Sequence, residues 1–400
     1  MKNSESKNVI RNNQILLSAV VALFWFAQYV YVPYQTPYLL GQHVTSSFVG
    51  MVVGAYGISQ MLARLPVGVI ADIADKHKVF IILGAFSSGF ASFVRIIWPS
   101  GAGFLVANLL SGLASAMWLS FILLYCSYYD KLHQQIATSR VVLYNNVGVM
   151  AAFAVATVSY DSWGMPFLCV TSMVAGIAAV FIAIKIRPVE SDGLNYSVSV
   201  HNIKRTELIG HLLTVCKRKR LIAFACLMLI QQGIQMATVM SFSTQIMKDA
   251  GASPYFIGVA SIVYMFSSVV MSIIASTKIC TYPGGRFWIP VVFVLVAAYC
   301  ILMPQIRIIP TFLLLQIIPG ISSGILVSFL ISESMVGIPK SKNSTAMGFF
   351  QAVYAVGMTI IPVIVGRITD IFSIAIGYGA MAIVAVLAAI AGVVIYRTSI

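Results

Sequence analysis

Acidic side chains are scarce in this chain. Asp and Glu number 11 among 400 residues against 25 Lys and Arg, and all charged residues together make up 9%. A water-soluble domain carries about a quarter charged residues, so a composition that is 60% hydrophobic with a mean hydropathy of +0.94 excludes one and places the chain in a bilayer. The cysteines, Cys126, Cys169, Cys216, Cys226, Cys280 and Cys300, form no CxxC pair and no Cys/His ligand set. That spacing argues against a structural metal and against a disulfide framework. The histidines (His43, His77, His133, His201 and His211) all fall between apolar runs, and no HExxH, GxSxG or intramembrane aspartate pair occurs. A membrane enzyme therefore has little to build a site from, and neither a cofactor nor a metal is expected. A net charge of +14 would suit nucleic acid only if Lys and Arg clustered on a polar domain, and no polar segment is long enough to hold one.

Long apolar runs are what the chain has instead. A spanning helix needs about 20 apolar residues at 1.5 Å each. That ruler gives twelve spans: 15–40, 47–71, 79–98, 102–128, 138–160, 164–185, 220–247, 254–278, 287–305, 309–333, 342–370 and 373–396. The fold class is all-α integral membrane protein. Short cytoplasmic loops are enriched in Lys and Arg. With the N-terminus inside, the inner loops and tails collect nearly all the basic residues, and only Arg95, Lys248, Arg307 and Arg367 remain at outer ends. Both termini are expected in the cytoplasm. The first span is too long and lacks the cleavage site of a signal peptide, so it is expected to be retained.

The only long polar segment divides the spans six and six. The expected organisation is a tail over 1–14, a six-helix bundle over 15–185, a basic linker over 186–219, a second bundle over 220–396 and a tail over 397–400. Within the linker, HNIKRTELIGHLLTVCKRKRL sets Leu208, Ile209, Leu212, Leu213 and Cys216 on one face. It reads equally as an amphipathic helix on the inner leaflet or as a solvated linker. The halves are related at a fixed offset. Phe48-Val49-Gly50 falls on Phe256-Ile257-Gly258, Asn108 on Gln316 and Gly112 on Gly320, each 208 residues apart. A six-plus-six parallel repeat describes a transporter with its site near the midplane between the halves.

The stretch GVIADIADKHK, residues 68–78, crowds charge into the hairpin between spans two and three. Gly68 lets a partner backbone approach closely, and Asp72 can accept from helix-terminal amides or basic residues. With Lys76 and Lys78 this loop resembles the signature loop of the major facilitator superfamily. So do Pro37-Tyr-Leu-Leu-Gly41 ahead of Phe48-Val-Gly50, and Gly357-x-x-x-x-Pro362-x-x-x-Gly366-x-x-x-Asp370 in span eleven. The pattern with Arg64-Leu-Pro66-Val-Gly68 looks most like the bacterial drug and metabolite efflux branch. Ile73 and Asp75 depart from the usual loop, and Asn108 stands where many efflux members carry Arg. The resemblance implies two pseudo-symmetric bundles working by alternating access in the plasma membrane, a bacterial inner membrane, as a monomer. It makes span eleven the partner of Gly68. Asp72 would then latch the inner mouth, with Arg140 as a plausible partner.

Intramembrane amides should face protein or water rather than lipid. The candidate cavity residues are Gln28, Tyr31 and Gln35 in span one, and Tyr56, Gln60 and Arg64 at steps of four in span two. Asn108, Asn145 and Asn146 come from spans four and five, and Gln231, Gln232 and Gln235 from span seven. Gln316, Gln351 and Tyr354 complete the set from spans ten and eleven. Trp25 and Phe26 read as lipid-facing. The expected partners are a small-molecule substrate, membrane lipids and, as a coupling ion, protons. The substrate is read as a small amphipathic compound moved outward, with uptake or exchange of a polar metabolite as the second reading. No carboxylate lies near the middle of a span, so any proton coupling is expected at Glu333 or Asp72 on the inner mouth, with Arg64 the only deep charge.

Overall fold

A computed structural model describes residues 2–74, 77–129, 134–187, 214–339 and 343–398. The amphipathic-helix reading of the linker falls almost wholly outside these residues. So do Lys76 and the side chain of Asp72.

The described residues form eleven continuous apolar helical segments, and one of them crosses twice. The helix Gln134–Ile184 is 51 residues long, which at 1.5 Å per residue is more than twice a bilayer core of about 30 Å. It folds back at Gly164, whose φ of 64° lies in the left-handed region that glycine enters freely, just ahead of Pro166. Twelve crossings result, as the apolar runs require. Three of the others are broken locally. Span one is Lys2–Tyr29 and Val32–Gly41, interrupted just before Pro33. Span four is Gly101–Ala116 and Trp118–Cys126. Span seven runs as Lys219–Ala237, a π-helical turn Thr238–Phe242, then Ser243–Asp249. The remaining crossings are Ser46–Ala74, His77–Ile97, Pro254–Ala275, Gly284–Leu302, Ile309–Met335, Asn343–Ile371 and Ile374–Arg397.

The internal repeat is present as side-chain geometry. Gly112 of span four lies against the backbone of Tyr56 and the side chain of Ser59, and Gly320 of span ten lies against Tyr264 and Ser267. Every one of these pairs is separated by 208 residues (264 − 56, 267 − 59, 320 − 112). The same offset relates a buried hydrogen bond: Tyr56 Oη meets Ser115 Oγ at 2.5 Å and Tyr264 Oη meets Ser323 Oγ at 3.1 Å. Glycine is needed because a Cβ at either position would overlap the facing helix, and small residues are how helices approach in a membrane.

Three apolar clusters show how the halves sit together. One, at the end away from the termini, draws Tyr34, Val49 and Ala156 from the first half and Phe242, Ile257 and Val365 from the second. Towards the termini the fully buried cores are separate: Leu17, Phe121 and Val141 lie in the first half, with Ile262 and Met265 of the second packed against its rim, and Phe224, Phe293 and Leu330 lie in the second. Polar contacts reinforce the shared end. Tyr34 Oη donates to Pro254 O at 2.8 Å, Thr36 Oγ1 lies 2.9 Å from Ser241 Oγ, and Lys248 Nζ donates to Pro37 O at 3.1 Å. Spans two and eleven also touch there, with Gly50 against Pro362 and Gly366 against Ser46. The molecule is closed at the end opposite its termini.

One sequence expectation is corrected here. Trp25 does not face lipid: it is buried edge-on against Phe24 and Trp118 in the first half. Arg140 is exposed and donates to Tyr129 Oη at 2.9 Å; the Asp72 side chain that would be its latch partner lies outside the described residues. Its neighbour in space comes from the end of span four, which linear distance does not reveal.

Candidate functional site

The cavity between the halves is bounded by spans one, two and four on one side and span seven on the other. Gln28, Tyr29, Tyr31, Val32 and Gln35 descend from span one, with Val53, Tyr56 and Asn108 beside them. Met236 and Met240 face them from the second half, and together they line a small cavity of about 40 Å3. A second, smaller space adjoins it under Thr244, Ser261, Tyr264 and Gln316. Met240 lines both. It lies within the π-helical turn of span seven, and such turns recur at functional sites because they widen the helix and re-aim its side chains.

The break before Pro33 turns span one over the cavity, and the polar residues on its inner face are held by a charge. Arg95, 1% exposed, is the largest fully buried side chain among the described residues. Its Nη2 donates to Tyr31 Oη and Asn108 Oδ1 at 2.8 Å each and to Ser111 Oγ at 3.0 Å. Its Nη1 donates to Ser92 Oγ at 3.1 Å. The guanidinium lies over the Tyr31 ring, 3.8 Å from its centroid. Asn108 Nδ2 donates on to Val52 O, and Gln28 Nε2 to Ser111 O. Arg95 is therefore a second buried cation, which corrects the expectation that made Arg64 the only deep charge. It is two residues from the end of its helix, where the chain reads as a loop flank. The signal lay in Ser88, Ser92 and Arg95, which share one helical face.

Arg64 bridges the halves. Its Nη1 donates to Gln351 Oε1 at 2.8 Å and Tyr354 Oη at 2.6 Å, with the guanidinium 5.4 Å from the Tyr354 ring centroid. In the second half, Gln231 Nε2 donates to Gln235 Oε1 at 3.0 Å, which also accepts from Ser323 Oγ at 3.0 Å. Gln235 Nε2 in turn donates to Tyr264 Oη at 2.5 Å.

Of the cavity residues expected from sequence, Gln28, Tyr31, Gln35, Tyr56, Asn108 and Gln316 line the two spaces. Arg64, Gln351 and Tyr354 come together away from them, and Gln231 and Gln235 join the Tyr264 network. Gln60 is buried, and Gln232, Asn145 and Asn146 are half-buried, outside both linings. Sequence reasoning missed Tyr29, Met236 and Met240, apolar residues that carry no signal apart from their neighbours. Glu333 pairs with Arg220 at the termini end of spans ten and seven, within the second half. Lys78 caps span six, donating to Ile184 O at 2.8 Å and Ile186 O at 2.7 Å. Among the described residues no group of His, Cys, Asp or Glu is placed to hold a metal ion.

Residues 17–335 match the family model of the Major Facilitator Superfamily. The chain belongs to that superfamily. It is accordingly built as a membrane transporter rather than an enzyme, with a small-molecule substrate and membrane lipids as its partners. The fold agrees over nearly the whole length. A point mutant of the nucleoside transporter NupG matches with a TM-score of 0.78 at 14% identity, covering 97% of this chain and 100% of that one. A bacterial homologue of the human lysosomal transporter Spinster, in an inward-facing and unoccupied conformation, matches with a TM-score of 0.75 at 12% identity over 98% of this chain and 97% of that one. An uncharacterised MFS-type transporter of Methanocaldococcus jannaschii is 32% identical over 72 residues, a match spanning 18% of either chain.

Proposed function

We propose that this protein is a secondary active transporter that exports a small amphipathic molecule across the plasma membrane, a bacterial inner membrane, by alternating access as a monomer. The observation that carries the reading is the cavity at the junction of the halves, lined by Tyr29, Tyr31, Met236 and Met240 beside Gln28, Gln35 and Asn108. Rings and thioethers offer a flat, adaptable apolar contact, and the amides supply directional hydrogen bonds. The shared core seals one end and the separate cores allow the other to part, so rocking of two rigid halves exposes the cavity to one side at a time. With the basic loops cytoplasmic, the sealed end faces outward. The outward direction of transport rests on the resemblance of the span-two pattern to the drug and metabolite efflux branch.

Uptake or exchange of a polar metabolite is the second reading, favoured by a specific feature. The side-chain carbonyls of Gln28, Gln35 and Gln316 are buried without a donor. A cargo bearing several hydroxyl or amino groups would satisfy them, and a nucleoside transporter among the structural relatives has cargo of that chemistry. The test is a thermal-shift screen of the purified protein against drug and metabolite panels, because a ligand of the folded state raises its apparent stability. Hits are then followed as flux in proteoliposomes. Export of an amphipathic hit is expected. Accumulation of a polar metabolite instead would select uptake, and turnover of a lipid or peptide substrate without flux would remove the transporter reading.

A further inference from the structure

Arg95 is a buried cation with only neutral partners: two serines, a tyrosine and an asparagine. Taking a charge out of water is costly unless it is paired and hydrogen-bonded. Here the hydrogen bonds and the Tyr31 ring hold the guanidinium in place but leave its charge unbalanced. Arg64, the other intramembrane cation, also rests on neutral oxygens, those of Gln351 and Tyr354. The carboxylates with described side chains are all elsewhere. Asp370 accepts from backbone amides, Asp249 from Gln245, and Glu333 pairs with Arg220. Asp161 is exposed, three residues from the turn at Gly164.

The guanidinium touches two side chains that line the cavity, Asn108 and Tyr31. Tyr31 lines the cavity, and its hydroxyl oxygen already accepts from Arg95 at 2.8 Å. The hydroxyl proton is therefore left to be donated. The neighbouring hydroxyl is Ser111 Oγ, at a long 3.4 Å, which itself already accepts from Arg95. A phenol backed by a guanidinium is a strengthened donor, and this one belongs to a residue that lines the cavity. Charge-assisted donors of this kind discriminate in favour of anionic acceptors.

We infer that the cavity selects a cargo carrying an anionic group, a carboxylate or a group of similar charge and size, with Arg95 acting as a positioning residue through the Tyr31 hydroxyl. The cargo supplies the counter-charge that the protein omits, and amine-bearing amphiphiles are disfavoured by the same field. This rests on the cavity being the cargo site, as proposed above.

The test uses matched probes on purified full-length protein: phenylacetate, phenylacetamide and phenethylamine, then indoleacetate, indoleacetamide and tryptamine. Affinity is read from the dependence of Tm on probe concentration for wild type, Arg95→Gln, Arg95→Lys and Tyr31→Phe. In wild type the carboxylate of each set is expected to bind tightest. Tyr31→Phe, which keeps the ring under the guanidinium, should weaken the carboxylate by about tenfold or more and the amide far less. Arg95→Gln should bring carboxylate and amide together, and Arg95→Lys should restore part of the difference. If Arg95→Gln does not fold, Tyr31→Phe carries the test. A purely structural Arg95 would lower Tm without changing the order of the probes. The proposal is overturned if no carboxylate raises Tm, if amide or amine binds as well as its carboxylate, or if Tyr31→Phe weakens all probes alike. Amides or amines that bind and are carried would remove the anion and leave transport standing, whereas a carboxylate that binds and is never carried would do the reverse.

Discussion

The carboxylate of Asp370 accepts the backbone amides of Ser46 and Ser47 at 2.8 and 2.7 Å, joining the end of span eleven to the start of span two across the two halves. The first amides of a helix have no partner within it, and a negative charge there is favoured by the helix dipole. On the proposed alternating access, the contact would hold only while the end opposite the termini is closed, and so would belong to one access state.

Asp370→Asn is accordingly expected to ease opening at that end. A capping interaction contributes about 0.5–2 kcal/mol, which converts to a population shift of about two- to thirtyfold. The reporter is Thr36→Cys in an otherwise cysteine-free protein, because Thr36 is fully buried against Ser241 in the closed form. Its reaction with a small impermeant thiol reagent should accelerate by that factor. An unchanged rate would show that the shared apolar core alone sets the balance.

Orientation is checked with the same background. Cysteines placed at His43 and Ser253 should react from outside intact cells, and one at Ser127, exposed beyond the end of span four, should not. Labelling at position 127 would invert the topology drawn from the basic loops and, with it, the side to which the closed end faces.

The repeat predicts paired effects. Gly112→Ala and Gly320→Ala each push a methyl group into the facing helix at equivalent places, against Tyr56 and Ser59 in one half and Tyr264 and Ser267 in the other. Overpacking of this kind costs about 1–3 kcal/mol, so both variants should show a lowered Tm of similar size. Gly379→Ala, where an added Cβ meets nothing within 4 Å, is the control. A loss confined to one half would mean that the helix pairs are equivalent in sequence but not in packing.

Much of this architecture was legible because the bilayer imposes one rule on every crossing. Backbone groups must be satisfied within each helix, so length and hydropathy located the twelve spans, and the 208-residue offset found glycines that the structure places at matching helix contacts. What stayed hidden depends on rotation about the helix axis. Arg95 and Arg367 look alike as basic residues near span ends, yet one is buried beneath Tyr31 and the other is exposed. The π-helical turn at Thr238–Phe242 has no compositional mark. Trp25 was misread because an aromatic residue at membrane depth suits lipid and protein equally until its neighbour Trp118 is known.

Energy coupling is the property on which sequence and structure press hardest against each other. The carboxylate inventory leaves Glu333 and Asp72 as the residues that a proton could use, and the structure gives Glu333 a partner in Arg220 of span seven. Both side chains are partly exposed, 19% and 33%, and both belong to the second half, so the pair does not itself bridge the halves. Two roles predict different outcomes. As a staple between spans ten and seven, Glu333→Gln should lower Tm by leaving Arg220 half-buried with less to neutralise it, and Arg220→Met with Glu333→Gln should recover most of that loss while transport persists. As a coupling site, the double variant should still bind cargo and exchange it but lose accumulation driven by an imposed pH gradient in proteoliposomes. We propose the coupling role for Glu333 together with Asp72, so gradient-driven accumulation should fall in Glu333→Gln, fall in Asp72→Asn and vanish when both are present, with cargo exchange retained. Vesicles in which the Glu333→Gln, Asp72→Asn protein still concentrates cargo against its gradient would sink that assignment and leave the Arg220–Glu333 pair as a staple alone.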